Sequence, residues 1–429
     1  MNKLKSISTF ILCTVFVFAS NFIPSEKVSA NTSRIGGQNR YETSINISQN
    51  GWTSSKYVIL ASGQDYADAL CAAPIANKYG APILLIPNNS LDENVKEEIT
   101  RLKADQIIEM GGPYSISYNV ENQLKSMGLN VQRLGGADRY ETSVIAAEAL
   151  GKPSKVAVAS GEGYADALSI APIAARQGMP ILLTNKNAVP ETVEEYIDSN
   201  KSNILQTYVV GGNGVIPGST LGSIPNVIRI SGINRYETNV NVLNKFKSSI
   251  DLDNVYLSRG EGPAGNEFAD ALSASALAAK KNAPIILVED NLNKNTKDFI
   301  KNNISATANI VAVGGQISVS DYLLTRIELI VLINGIDSRL QTIEDSTDNP
   351  DEKDAVFQIV DNLNDLISNK LDNVSTIVSD IKSNKEKIHE ILQNLSEVER
   401  DDLQNRIDAD NILHQYLDTL QQLINALQW

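Results

Sequence analysis

The sequence predicts an α/β protein of three tandem parallel-sheet modules followed by an all-α segment. Three observations carry that expectation. An eleven-residue signature recurs as RIGGQNRYETS from Arg34, RLGGADRYETS from Arg133 and RISGINRYETN from Arg229. The copies start 99 and 96 residues apart, and periods that long are whole domains rather than solenoid units. Between signatures, short apolar runs alternate strictly with helical segments, the order of a mostly parallel sheet covered on both faces. From about Tyr322 onward glycine almost vanishes and apolar residues recur at helical spacing.

Each signature reads as a helix start. Asn39, Asp138 and Asn234 serve as N-caps, and Glu42, Glu141 and Glu237 close capping boxes. Glycines just upstream permit a tight turn from a preceding strand. In the first repeat KYVILAS is a buried strand. Ser62-Gly63 turns the chain into YADALCAAPIANKYG, an Ala-rich helix ending at Gly80. APILLIP is a strand stopped by Pro87, and Ser90 with Glu93 forms a further capping box opening LDENVKEEITRL. QIIEM is a strand closed by Gly111-Gly112, SISYNVENQLKSMG a helix stopped at Gly128, and NVQRL a last strand feeding the next signature.

The second repeat matches with KVAVAS, GYADALSIAPIAARQG, MPILLT, VPETVEEYI and TYVVGG, the third with NVYLS, FADALSASALAAKKN, APIILV and NIVAVGG. From the ADAL aspartate to the strand proline the distance is 14 in every copy: Asp68 to Pro82, Asp166 to Pro180, Asp270 to Pro284. That constancy fits one rigid helix-to-strand unit. The third repeat departs twice. Ser231 replaces Gly36 and Gly135, and RGEGPAGNEF inserts about six residues before Asp270, an exposed loop by its Gly and Pro content.

In the tail, Val360, Ile367, Val374, Ile381, Ile388 and Leu395 fall seven apart, an a/d seam. Asn349-Pro350 starts a helix, and Ser396 with Glu399 caps another. Three helices are expected, roughly over 321–344, 350–394 and 396–427. Leu366, Leu371, Val378 and Leu392 widen the apolar face, which favours an intramolecular helical bundle over a parallel oligomeric coiled coil.

Lys3 and Lys5, an apolar run from Ile7 to Ala19 and the small-residue site Val28-Ser29-Ala30 form a secretory signal peptide, residues 1–30. No later stretch approaches the roughly 20 apolar residues of a membrane span. Organisation therefore reads as 1–30 signal, repeats 31–132, 133–228 and 229–326, and an acidic helical segment 327–429. After cleavage Cys71 is the only cysteine, so no intramolecular disulfide forms, and its apolar setting fits a buried inert thiol.

The formal charge is −14, unevenly placed. Residues 31–326 carry 26 basic and 29 acidic side chains, whereas 327–429 carry 8 and 21. An anionic partner would be repelled by the tail and held by the repeats. Nucleic acid is disfavoured, since no basic stripe appears. Both histidines, His389 and His414, lie in the tail, so no Ser-His-Asp arrangement forms in the repeats. No metal-ligand spacing, G-x-G-x-x-G or G-x-x-x-x-G-K-[ST] loop occurs, and no cofactor is expected. The candidates are the residues present three times: Arg40, Arg139 and Arg235; Tyr41, Tyr140 and Tyr236; Asp68, Asp166 and Asp270. The arginines either pair with the ADAL aspartates or gather where three modules meet, fixing inter-repeat geometry. Alternatively they form bidentate sites for phosphate or carboxylate.

Three copies of R-[IL]-[GS]-G-x-x-R-Y-E-T, each followed by an aromatic-A-D-A-L segment, a P-I-L-L-type strand and V-G-G or a close variant, resemble the cell wall binding repeat 2 modules of clostridial surface-layer-associated proteins. The resemblance covers about 31–326. It implies a Toprim-like or Rossmann-like fold per repeat, three repeats packed as a pseudo-trimer, and non-covalent anchoring to an anionic secondary cell-wall polymer at the surface of a Gram-positive envelope. The tail would be the displayed module, with surface-layer proteins among its potential partners. A non-enzymatic anchor is the expected function. The alternatives are a wall hydrolase anchored by the repeats and an adhesin acting through the tail.

Overall fold

The computed structural model describes residues 30–262, 268–345 and 350–368, together with Thr419 and Gln422. The expected signal before Ala30, the heptad seam beyond Ser368, the third tail helix and both histidines lie outside the described residues.

The first signature begins within β1 (Asn31–Ile35) and opens α1 (Arg40–Gly51). The first repeat continues with β2 (Tyr57–Ser62), α2 (Ala72–Tyr79), β3 (Ile83–Ile86), α3 (Glu93–Leu102), β4 (Gln106–Met110), α4 (Tyr118–Ser126) and β5 (Asn130–Leu134). The second gives α5 (Arg139–Leu150), β6 (Lys155–Ser160), α6 (Ala165–Gln177), β7 (Ile181–Thr184), α7 (Glu191–Asn200), β8 (Gln206–Val210) and β9 (Val227–Ile230). The third gives α8 (Arg235–Phe246), β10 (Asn254–Arg259), α9 (Phe268–Lys280), β11 (Ile285–Val288), α10 (Lys294–Asn303) and β12 (Asn309–Val313), before α11 (Asp321–Asp345) and α12 (Pro350–Ser368).

Two local expectations change. Ser90 does not cap α3; the N-cap is Asp92, and it makes no side-chain cap bond. The first ADAL segment is a 3-10 turn over Asp68–Cys71 that passes into α2, whereas α6 and α9 are continuous. Pro74 in α2 and Pro172 inside the continuous α6 both lack an N–H to give to the residue four before, so the proline does not account for this difference. Cys71 is buried and free, and its thiol donates to the Asp68 carbonyl at 3.1 Å.

Three four-stranded sheets form, ordered β3-β2-β4-β5, β7-β6-β8-β9 and β11-β10-β12-β1, and every pairing is parallel. The strand leading into each signature belongs to the previous module's sheet. The third module has no following signature, so its fourth strand comes from the start of the chain: Asn31 pairs with Asn309 and Ile35 with Val313. The ring of modules is thereby closed.

Helices α2, α6 and α9 pack against one another at the centre. Their facing residues are small, with Ala72, Ala76, Ala171, Ala174, Ala274 and Ala278 essentially inaccessible, and small contact residues allow close helix axes. Around them, fully buried Leu60, Ile75, Leu85 and Leu257 each contribute about 1.5–3 kcal/mol. Helix α1 also packs on α9 and α8 on α6, so each signature helix leans on a neighbouring repeat.

At the C-terminal end, α11 occupies the place α4 holds in the first module. It runs unbroken through 326–327 for 25 residues, about 37 Å. Ile327, Ile330 and Val331 join the main core, so no linker separates repeats from tail. Pro350 takes the first position of α12, which packs on α11.

Candidate functional site

Each letter of the signature has a bonding reason. Arg34, Arg133 and Arg229 end edge strands and donate from Nη1 to the Gly314, Gly111 and Gly211 carbonyls at 2.9, 2.9 and 2.7 Å. A Cβ on Gly36 would lie 2.4 Å from the Gly314 oxygen, and one on Gly135 2.2 Å from the Gly111 carbonyl carbon. Ser231 takes the third such position. Asn39 and Asp138 each cap two N–H groups, and Asn234 accepts from Glu237 N at 2.9 Å. The glutamates reach one residue further back than a capping box: Glu42, Glu141 and Glu237 accept from the N–H of Gln38, Ala137 and Ile233. The next threonines accept from Gly37, Gly136 and Gly232 N–H at 3.0, 3.1 and 3.0 Å. Ser44, Ser143 and Asn239 then accept from the N–H of Leu85, Leu183 and Leu287, tying the helix to an edge strand.

The repeated arginines meet near the ring axis. Arg40 stacks over Phe268 at 5.5 Å, Arg139 over Tyr66 at 6.0 Å and Arg235 over Tyr164 at 5.6 Å, each on a ring of another repeat. Those rings contact one another at centroid distances of 5.5 to 5.9 Å. Each arginine also donates to the glycine carbonyl after the first strand of its repeat, Gly63, Gly161 or Gly260. Arg139 and Arg235 form no ion pair with Asp68 or Asp166; Arg235 lies 3.3 Å from Glu261. Stacked cations of this kind contribute about 0.5–2 kcal/mol each. Tyr41, Tyr140 and Tyr236 pack against the same three glycines, and burial pushes their hydroxyl pKa values up.

Each ADAL aspartate sits where the sheet's connections diverge, between the first and third strands of a module. Such switch points form crevices at the carboxyl ends of parallel strands. The carboxylates press on the first glycine of the Gly-Gly turn: a Cβ there would lie 2.6, 2.7 or 2.1 Å from Oδ2 of Asp68, Asp166 or Asp270. Those glycines also hold φ of 108°, 124° and 98°, which only glycine adopts readily. Asp68 accepts from the Ser115 hydroxyl, and Asp270 from Ser318 at 2.9 Å. In the second module Val215 stands at that position. Burial lifts Asp166 to about 6, with Arg235 pulling the other way. A cavity of about 650 Å³ opens here, lined by Asp166, Lys186, Arg235, Ser160, Tyr66 and Tyr164 among others.

Arg, Tyr and Asp were all visible as residues present three times. Tyr66, Tyr164 and Phe268, which carry the contacts between repeats, were not singled out, although an aromatic stands two residues before each ADAL aspartate. Among the described residues no group of three His, Cys, Asp or Glu could hold a metal ion.

Comparison with known proteins agrees with this architecture. The profile of cell wall binding domain 2 (CWB2) matches residues 34–121, 133–221 and 229–324. Among curated relatives, the N-acetylmuramoyl-L-alanine amidase LytC of Bacillus subtilis is 33% identical over 312 residues, covering 72% of this chain and 60% of LytC. The amidase enhancer of the same organism is 33% identical over 293 residues, covering 67% of this chain and 39% of the enhancer. The chain thus spans less than two thirds of either relative. Cwp6 from Clostridium difficile superposes with a TM-score of 0.64 at 29% identity, covering 71% of this chain and 48% of Cwp6. Cwp8 from the same organism gives 0.64 at 28% identity, with 71% and 52% coverage. Three matched segments in a closed ring of three sheets make this chain a member of the cell wall binding domain 2 family.

Proposed function

We propose that the ring of three modules holds an exported protein on the bacterial wall by binding an anionic secondary wall polymer, and displays the helical tail. The observation that carries this reading is the match of a cell wall binding family to all three repeats. Two features support it. The strand-end rims recur three times around the ring, so weak contacts there to a repeating polymer gain by effective concentration. One large apolar side chain stands almost fully exposed at each rim: Tyr114, Ile233 and Ile317, at 96%, 92% and 85%. Exposed rings and aliphatic groups beside polar crevices suit sugar faces.

The test is sedimentation of the full chain with isolated Gram-positive walls, beside a chain ending at Asp345. That end point keeps α11 whole. Both are expected to pellet, and release of the shorter chain alone would move the binding role to the tail. The amidase among the relatives motivates the second reading, a wall hydrolase. A zymogram on wall substrate decides it, since a clearing band overturns a purely anchoring role.

A further inference from the structure

Three equivalent crevices are not equally open. In the first module one chain of bonds bridges the loops after β2, β3 and β4. The Ser62 hydroxyl donates to Asn88 Oδ1 at 2.6 Å, and Asn88 Nδ2 donates to the Tyr114 carbonyl at 3.1 Å. In the third module the same three positions are bridged by other chemistry. Arg259, aligned with Ser62, pairs with Asp290 at 2.9 Å and donates to the Ile317 carbonyl at 3.0 Å. The second module places Ser160, Lys186 and Gly214 at these positions, and no hydrogen bond or ion pair joins them. Lys186 is exposed and has no hydrogen-bond or ion-pair partner among the described residues. Val215 removes the hydroxyl that Ser115 and Ser318 give to their aspartates. The result is the 650 Å³ cavity, the size of a ligand pocket rather than a packing defect.

We infer that the crevice of the second module is a monosaccharide subsite that takes one acidic sugar unit, while the crevices of the first and third modules are closed by their own side chains. Asp166 is a carboxylate without a serine donor, so its oxygens are free to accept sugar hydroxyls. Lys186, at the opposite rim, supplies the cation for a phosphate or carboxylate substituent. Tyr66, half-buried, supplies aromatic surface on the axial side. The inference rests on the wall-polymer reading and narrows it from three equivalent sites to one.

The test titrates the full chain with glucuronic acid, glucose 6-phosphate and glucose, followed by ligand-observed NMR, with wall sedimentation in parallel. The two acidic probes separate a carboxylate from a phosphate substituent, and at least one is expected to bind more tightly than glucose. Lys186→Asn, on an exposed loop, should weaken the acidic probe about tenfold. Lys186→Asn with Val215→Ser, which installs first-module residues, should abolish its binding. Asn88→Lys should leave that binding intact. Equal binding of all three sugars, or undiminished binding by the double variant, overturns the inference. Wall retention by wild type with no acidic sugar bound also overturns it and leaves the anchoring reading standing; absence of wall retention overturns the anchoring itself.

Discussion

At Asp166 the geometry has a stability cost. The carboxyl of Asp166 is raised from 3.8 to about 6, chiefly by burial. The folded state therefore holds the proton more tightly than the unfolded chain, and stability falls as pH rises through that window. Asp166→Asn is expected to stabilise the protein by about 1–2 kcal/mol at pH 7, after discounting for solvent screening, and by almost nothing at pH 4. Thermal melts at the two pH values check this, and an equal gain at both would remove burial of charge as the cause. A contrast between modules lies in the first signature arginine. Arg133 Nη2 stands 2.6 Å from fully buried Glu109 and 2.8 Å from Glu121, whereas among the described residues Arg229 bonds only to the Gly211 carbonyl. Glu109 is itself pushed up to about 7, chiefly by burial. Arg133→Ala should cost about 3 kcal/mol and Arg229→Ala about 1 kcal/mol, measured by urea unfolding. The caps were legible in sequence because Asn or Asp before a helix has one dominant use. Glu42, Glu141 and Glu237 were legible as turn acceptors, but not their target, which depends on how the preceding residue folds back. The open crevice was hidden, since Lys186 and Val215 matter only beside Asn88, Asp290, Ser115 and Ser318.

At the scale of elements, short apolar runs marked the inner strands and the apolar edge strands, and NVQRL was legible before the second signature, while the edge strands β1 and β9 were not named. NTSRI offers a single buried apolar residue, Ile35; Asn31 and Ser33 are exposed, and Thr32 and Arg34 are half-buried polar side chains. Such a pattern carries little strand signal by itself, and pairing on the edge of β12 makes it a strand. Deleting residues 31–35 should expose that edge. Hydrogen exchange is expected to quicken along β12 and leave β4 and β8 unchanged, and uniform protection would show that β1 is dispensable. The tail was read as a separate helical unit because its composition shifts near Tyr322. Composition reports what a helix packs against along most of its length, not where its first turn belongs. The first turns of α11 are part of the third module, and Asp321 pairs with Arg34 at 2.8 Å.

For the whole molecule, the parallel α/β order was legible from alternation, while the ring arrangement came from resemblance to a family and not from periodicity. Its physical signature is distributed: one aromatic per repeat, one arginine on another repeat's ring, and alanines along three central helices. The acidic tail and near-neutral ring make polymer retention a matter of short-range contacts. Retention on walls is expected to fall as sodium chloride rises from 0.1 to 1 M, roughly the range over which the screening length drops from about 10 to about 3 Å. Retention unchanged at high salt would assign the binding to apolar and neutral polar contacts alone.

The pairing of β1 with β12 also orders events in time. Asn31 bonds to Asn309 across 278 residues, so β1 waits for a strand made much later. Until β12 arrives, β1 has no sheet to join and the ring has no closure, a long loop whose entropy must be met in a single late step. The first two modules own all their strands and can form earlier. A chain with this wiring stays incomplete until β12 has been made, and its final assembly happens only after the whole ring sequence has reached one compartment.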